Sequence, residues 1–187
     1  MNKSMLFVGG LFALALAVPA VAGFSAKSGL APGESISAFH PVHISGPLAN
    51  SEKCFPCTFQ SRPQVQVWVN GDDPKNIVAI AKNLQSEINK NKKAEFKAMI
   101  VVLGDKAALK PVVKAAATEA NTPDVAMAIL PKTDEAVKNY KINLAADVKN
   151  TVFVYRNWKV SDSMVNLKAD TKGLNALNAA IAKAVAM

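Results

Sequence analysis

The sequence predicts an α/β domain built on a mixed β-sheet, and two observations carry that reading. Apolar segments of strand length alternate with segments of helical period, giving the order β, then β-α-β-α-β-(α)-β-β-α. Alternating units of this kind require parallel strands joined by right-handed crossovers, while the last two strands, joined across Asn157-Trp158, must be antiparallel.

From Gly23 to about Lys53 the chain is broken by Gly29, Pro32, Gly33, Pro41, Gly46 and Pro47, and only Ser37 to Ile44 alternates enough for a short edge strand. Gln64 to Val69 (QVQVWV) is the first central strand, with Val65, Val67 and Val69 on one face and Gln66 and Trp68 on the other. Asp73 followed by Pro74 starts a helix that runs to about Asn89, with Ile77, Ile80, Ala81, Leu84 and Ile88 at helical spacing. Phe96 to Leu103 is a nearly unbroken apolar run, as an interior parallel strand requires. An Ala-rich helix follows over 107–120, with Pro111 placed in its first turn. Val125 to Leu130 is the third core strand and Thr133 to Tyr140 a short helix. Thr151 to Arg156 and Lys159 to Asn166 form the closing hairpin. Gly173 to Val185 is a terminal helix with Leu174, Leu177, Ile181 and Val185 on its apolar stripe. Trp68 and Trp158 read as packing residues.

The first residues bear on compartment. Lys3, the uncharged run Met5 to Val18 and the small residues of Ala20-Val21-Ala22 form a secretory leader, with cleavage expected before Gly23. A retained anchor is the alternative, but a spanning helix needs about 20 apolar residues and this run stops at Pro19. The domain reading is a leader over 1–22, a flexible segment over 23–38 and one folded domain over 39–187, periplasmic or secreted and off the membrane once cleaved. The chain carries 22 Lys and Arg against 14 Asp and Glu, a formal charge of +8. Arg occurs only at Arg62 and Arg156, and the lysines are scattered without interleaved aromatics, which argues against a nucleic-acid partner and for a solvated cationic surface. No serine-histidine-aspartate arrangement, phosphate loop or paired acid-base carboxylates support hydrolysis.

The chemistry-bearing residues are few. Cys54 and Cys57 are the only cysteines and His40 and His43 the only histidines. Two residues between cysteines let the sulfurs close a disulfide, so Cys54-Phe55-Pro56-Cys57 has the spacing of a redox couple and is the candidate catalytic pair. Its place in the connection entering the sheet puts no helix behind it to stabilise a thiolate, and Arg62 makes the loop only mildly electropositive. The same cysteines with His40 and His43 offer two thiolates and two imidazoles, a set suited to Zn²⁺ or copper. Residues three apart on a strand point to opposite faces, so the histidines also read as edge residues bonding nearby backbone. Thr58 after Cys57 excludes a c-type haem motif, which needs His there.

Several stretches are similar to one family. Phe39-His40-Pro41-Val42-His43-Ile44-Ser45-Gly46 resembles the strand and turn that open peroxiredoxins and TlpA-like thioredoxins, and Arg62 to Val69 resembles their first central strand. Tyr140-Lys141-Ile142, then Thr151 to Tyr155 and the hairpin at Asn157-Trp158, resembles their ending. The resemblance spans about Phe39 to Val185 and implies a three-layer α/β/α thioredoxin-like domain. It also implies where an active site would lie, and there this chain departs. Redox-active thioredoxins carry C-x-x-C, and peroxiredoxins their peroxidatic cysteine, at the start of the helix after the first central strand. This chain has Asn70-Gly71-Asp72-Asp73-Pro74-Lys75 instead, and Lys149-Asn150 where the family's active-site cis-proline is expected. Asp72 and Asp73 are accounted for by helix initiation.

Three function classes stand: thiol-disulfide exchange with a protein thiol partner through a displaced Cys54–Cys57 pair and no cofactor; Zn²⁺ or copper binding; and a non-enzymatic binding module stapled by a structural disulfide. The fold's common use and the C-x-x-C spacing together favour the first.

Overall fold

The computed structural model describes residues 27–187, so the expected leader over 1–22 lies outside the described residues. Its elements in chain order are β1 (Val42–Ser45), α1 (Phe55–Phe59), β2 (Gln64–Val69), α2 (Pro74–Lys90), β3 (Lys97–Leu103), α3 (Lys106–Ala120), β4 (Val125–Leu130), α4 (Glu135–Asn139), β5 (Asn150–Arg156), β6 (Lys159–Val165) and α5 (Thr171–Ala186). The strands form one sheet in the order β1-β4-β3-β2-β5-β6. β2, β3 and β4 are parallel, while β5 runs against β2, β6 against β5 and β1 against β4. The expected mixed sheet is present.

Local chemistry explains where the helices start. Asp73, Asp105, Asp134 and Asp170 each precede a helix, and each carboxylate accepts a backbone N–H of the first turn. The hairpin turns on Asn157 and Trp158, both at positive φ (51° and 65°), the two-residue geometry whose twist matches the flanking strands.

The sheet is buried on both faces. Val65, Val67 and Val69 pack with Ile77, Leu84, Leu177 and Ile181 under α2, α3 and α5. The opposite face buries Trp68, Met99, Val101, Phe153 and Tyr155 beneath α1, α4 and the chain ahead of β1. This is the three-layer α/β/α arrangement. Gln64 and Gln66 fall on that second face and are fully buried, which the period-two pattern alone does not imply. They are accommodated by bonding each other's partner: Gln66 Nε2 donates to the Tyr155 hydroxyl (2.8 Å), which donates to Gln64 Oε1 (2.7 Å), and Trp68 Nε1 donates to Gln66 Oε1 (3.0 Å).

Three expectations are corrected. The edge strand read over 37–44 is only Val42–Ser45: pairing with β4 begins at Val42, after Pro41, and Phe39 ahead of it is buried in the core. Pro111 lies in the second turn of α3 rather than the first; it is exposed there, and solvent can bond the carbonyl whose donor it removes. The described part of the segment expected to be flexible, 27–38, is instead docked. Leu30 and Ile36 are buried, Gly33 N–H donates to Val160 O, Val160 N–H to Glu34 O and Ile36 N–H to Trp158 O. These bonds cover the free edge of β6, as the loop at Asn50 and Ser51 covers the free edge of β1 through His43. Gly46 closes the β1 turn at φ +84°, where a Cβ would stand 2.6 Å from the backbone of Ala126.

Candidate functional site

The cysteines lie on the face of the sheet opposite α2, carried by a short helix that the sequence does not announce. Cys54 is the N-cap of α1, and its Sγ accepts the Cys57 backbone N–H at 3.2 Å. Pro56 stands in the first turn, where a missing N–H costs nothing. The Cys54 carbonyl accepts both the N–H (3.0 Å) and the hydroxyl (2.8 Å) of Thr58. The expectation that no helix stands behind the pair is therefore corrected. Five residues are too few to show a 3.6-residue period, so only Pro56 hinted at the turn.

Packing below fixes this helix. Phe55 is fully buried, with its ring 4.7 Å from that of Phe59 and 6.4 Å from the imidazole of His43. At the other end Gln64 Nε2 donates to the Gln60 carbonyl (2.9 Å), tying the exit of α1 to the buried Gln64–Tyr155–Gln66 network.

The two histidines act on the approach to Cys54. His40 Nδ1 bonds the Glu52 carbonyl at 3.0 Å and His43 Nε2 bonds the Lys53 carbonyl at 2.9 Å. A carbonyl can only accept, so each of these ring nitrogens carries the proton. Consecutive peptides immediately ahead of Cys54 are thus held by consecutive imidazoles. His40 is exposed and His43 buried, and His43 Nδ1 has no protein partner. Burial pushes the His43 pKa below its ordinary value, partly opposed by the bond to Lys53.

Cys54 and Cys57 are joined as a disulfide with Cα atoms 5.2 Å apart. The two ends are unequally presented: Cys54 is 5% exposed, whereas Cys57 is open to solvent. Arg62 does not supply the expected positive field. Its guanidinium pairs with Glu95 and donates to the Phe59 carbonyl at the far end of α1. Among the described residues no three His, Cys, Asp or Glu side chains gather into a group that could hold a metal ion.

The position where the resemblance implies an active site is built for structure. Asp73 Oδ1 caps α2 through Lys75 N–H (2.9 Å), as expected. Asp72 does more than initiate a helix: its Oδ2 accepts Nδ2 of Asn76 (2.8 Å) and Nδ2 of Asn150 (2.5 Å). Asn150 also bonds Leu167 through both its carboxamide atoms, Nδ2 to the carbonyl and Oδ1 from the N–H. This polar knot joins the ends of β2, β5 and β6 beside an open cleft of about 580 Å³. The knot was missed in the sequence because Asp72 and Asn150 are distant there; the asparagine standing where the family places proline was the one available signal.

No protein-family model matches the sequence, and no curated protein matches it. Solved structures do. A Chlorobium tepidum protein assigned as a thiol:disulfide interchange protein DsbE superimposes with a TM-score of 0.63 at 17% identity, covering 83% of this chain and 99% of its own. A 2-Cys peroxiredoxin from Plasmodium vivax gives 0.59 at 14% identity over 81% of this chain and 80% of its own. A thiol-disulfide oxidoreductase from Bacteroides fragilis gives 0.53 at 18% identity over 77% and 99%. At such identities the likeness is one of architecture, and it agrees with the strand order, the parallel centre and the antiparallel hairpin described above. The protein has the thioredoxin-like fold.

Proposed function

We propose that this protein is an exported thiol-disulfide exchange protein that works through Cys54–Cys57. One observation carries the reading: a disulfide at C-x-x-C spacing whose Cys57 end is open to solvent. Exchange proceeds by attack of a thiolate on a disulfide sulfur, so an exposed sulfur is the first requirement. A bond meant only as a staple gains nothing from that exposure. The partner class is a protein thiol. The N-terminal leader supports export to an oxidising compartment, where such a bond persists. Among the described residues no helix is long and apolar enough to cross a membrane. The thioredoxin-like fold supports the reading by its common use, although folds host unrelated sites.

Equilibration of the purified protein in glutathione redox buffers, followed by alkylation and mass measurement, tests it. The expected potential lies above about −300 mV, the region of labile and catalytic disulfides. A potential well below that value would refute exchange and leave a structural bond. The metal alternative, Zn²⁺ or copper on His40, His43, Cys54 and Cys57, requires the disulfide to be reduced, with each ring offering the nitrogen that does not bond a carbonyl.

A further inference from the structure

The unequal exposure of the two cysteine residues gives the disulfide a direction. We infer that an incoming thiolate attacks Sγ of Cys57 and that Cys54 is the leaving and resolving sulfur, so that the second cysteine of the motif, not the first, forms the bond to the partner. The inference rests on the exchange reading above.

Three observations meet at this point. Cys57 is an exposed residue while Cys54 is 5% exposed, so the Cys57 end of the bond is the one that faces an incoming macromolecular thiol. The backbone N–H of Cys57 already points at Cys54 Sγ at 3.2 Å, and a hydrogen bond to the charged form favours a thiolate there as the bond breaks. A sulfur whose thiolate is stabilised is the better leaving group. The peptide at Cys54 is also held on both sides. His40 and His43 bond the two preceding carbonyls, and Thr58 bonds the Cys54 carbonyl twice. Cys54 therefore stays in place under the loop as the sulfur that later returns to resolve the complex.

The chemistry closes with a dithiol substrate as reductant. A substrate thiolate attacks Cys57 Sγ; a new intermolecular S–S bond forms, the Cys54–Cys57 bond breaks, and its electron pair leaves on Cys54, which takes a proton from solvent. The second substrate thiol loses its proton and attacks its own partner sulfur. That step releases Cys57 as a thiolate, which is protonated in turn. Two electrons pass from the substrate dithiol, now a disulfide, to Cys54 and Cys57, now thiols. In the reverse direction Cys54 attacks the mixed disulfide on Cys57.

The test uses the oxidised, unmodified protein with reduced glutathione as the thiol. Samples are quenched in acid at the earliest times, free thiols are alkylated, and the glutathione adduct is located by peptide mass mapping. The expected result is an adduct on Cys57 with Cys54 alkylated, in excess over the opposite isomer by about tenfold or more. In parallel, the single thiol of Cys54→Ser should react with oxidised glutathione faster than that of Cys57→Ser. Adduct on Cys54, or equal amounts on both, would overturn the direction and leave the exchange reading intact. A disulfide that survives a large excess of reduced glutathione with no adduct on either cysteine would overturn both.

Discussion

Removing one oxygen from Tyr155 should cost the fold far more than that atom's size suggests. The hydroxyl sits in a fully buried side chain, accepting from Gln66 Nε2 at 2.8 Å and donating to Gln64 Oε1 at 2.7 Å. In Tyr155→Phe both glutamine groups remain buried with those partners gone. A buried polar group left unsatisfied costs about 1–3 kcal/mol, so two of them set an expected loss of about 3 kcal/mol once partial relaxation is allowed. For a domain of this size each kcal/mol corresponds to about 2–4 °C, so the midpoint of thermal unfolding should fall by roughly 6–12 °C. Equilibrium urea unfolding, followed through the fluorescence of buried Trp68, reads the loss directly. Replacing Gln64 by leucine in the Tyr155→Phe background should recover part of it, since the stranded Oε1 goes with the side chain, while Gln66 is kept because its Oε1 accepts from the buried Trp68 Nε1. A loss below about 1 kcal/mol in the single variant would refute the reasoning. It would mean that water reaches the two groups or that they find other partners.

Other outcomes follow from the same structure. Asp73→Ala should cost about 1 kcal/mol as a lost N-cap while the Cys54–Cys57 potential stays unchanged; a shifted potential at intact stability would show that the start of α2 is chemically active. His43, held below its ordinary pKa of 6.5 by burial, takes up its proton more readily in the unfolded chain, so its contribution to stability is complete above 6.5 and is lost as pH falls through its folded value. His43→Gln should flatten that acid limb in urea titrations at several pH values, and an unchanged limb would point to other groups. Tyr155, pushed well above 10 by burial, gives the opposite limb: stability should fall once pH rises past 10, where the unfolded phenol ionises first. Tyr155→Phe should remove that part of the alkaline loss. Protein reduced and kept anaerobic should bind little Zn²⁺ if exchange is the function, whereas one equivalent, lost in His40→Ala/His43→Ala, would favour the metal alternative.

What the chain settled by itself was local. The apolar strand segments Gln64–Val69 and Val125–Leu130, the Asp73 cap and the turn at Asn157-Trp158 act over a few residues, and each formed where its pattern placed it. From these the parallel centre and the antiparallel hairpin follow, because crossover handedness leaves few alternatives. The C-x-x-C spacing likewise showed that Cys54 and Cys57 could pair. Tertiary closure decided the rest. Gln64 and Gln66 are tolerable in the interior because β5 brings Tyr155 beside β2, and the chain over 27–38 is docked because the folded sheet offers it the unpaired edge of β6 and an apolar bed for Leu30 and Ile36. The difference between a covered Cys54 and an open Cys57 exists only once Phe55 is buried and His40 and His43 hold the loop ahead of it. Caps and periods are encoded within one turn of chain, whereas burial of a sulfur or a carboxamide depends on partners that only the folded sheet brings within reach.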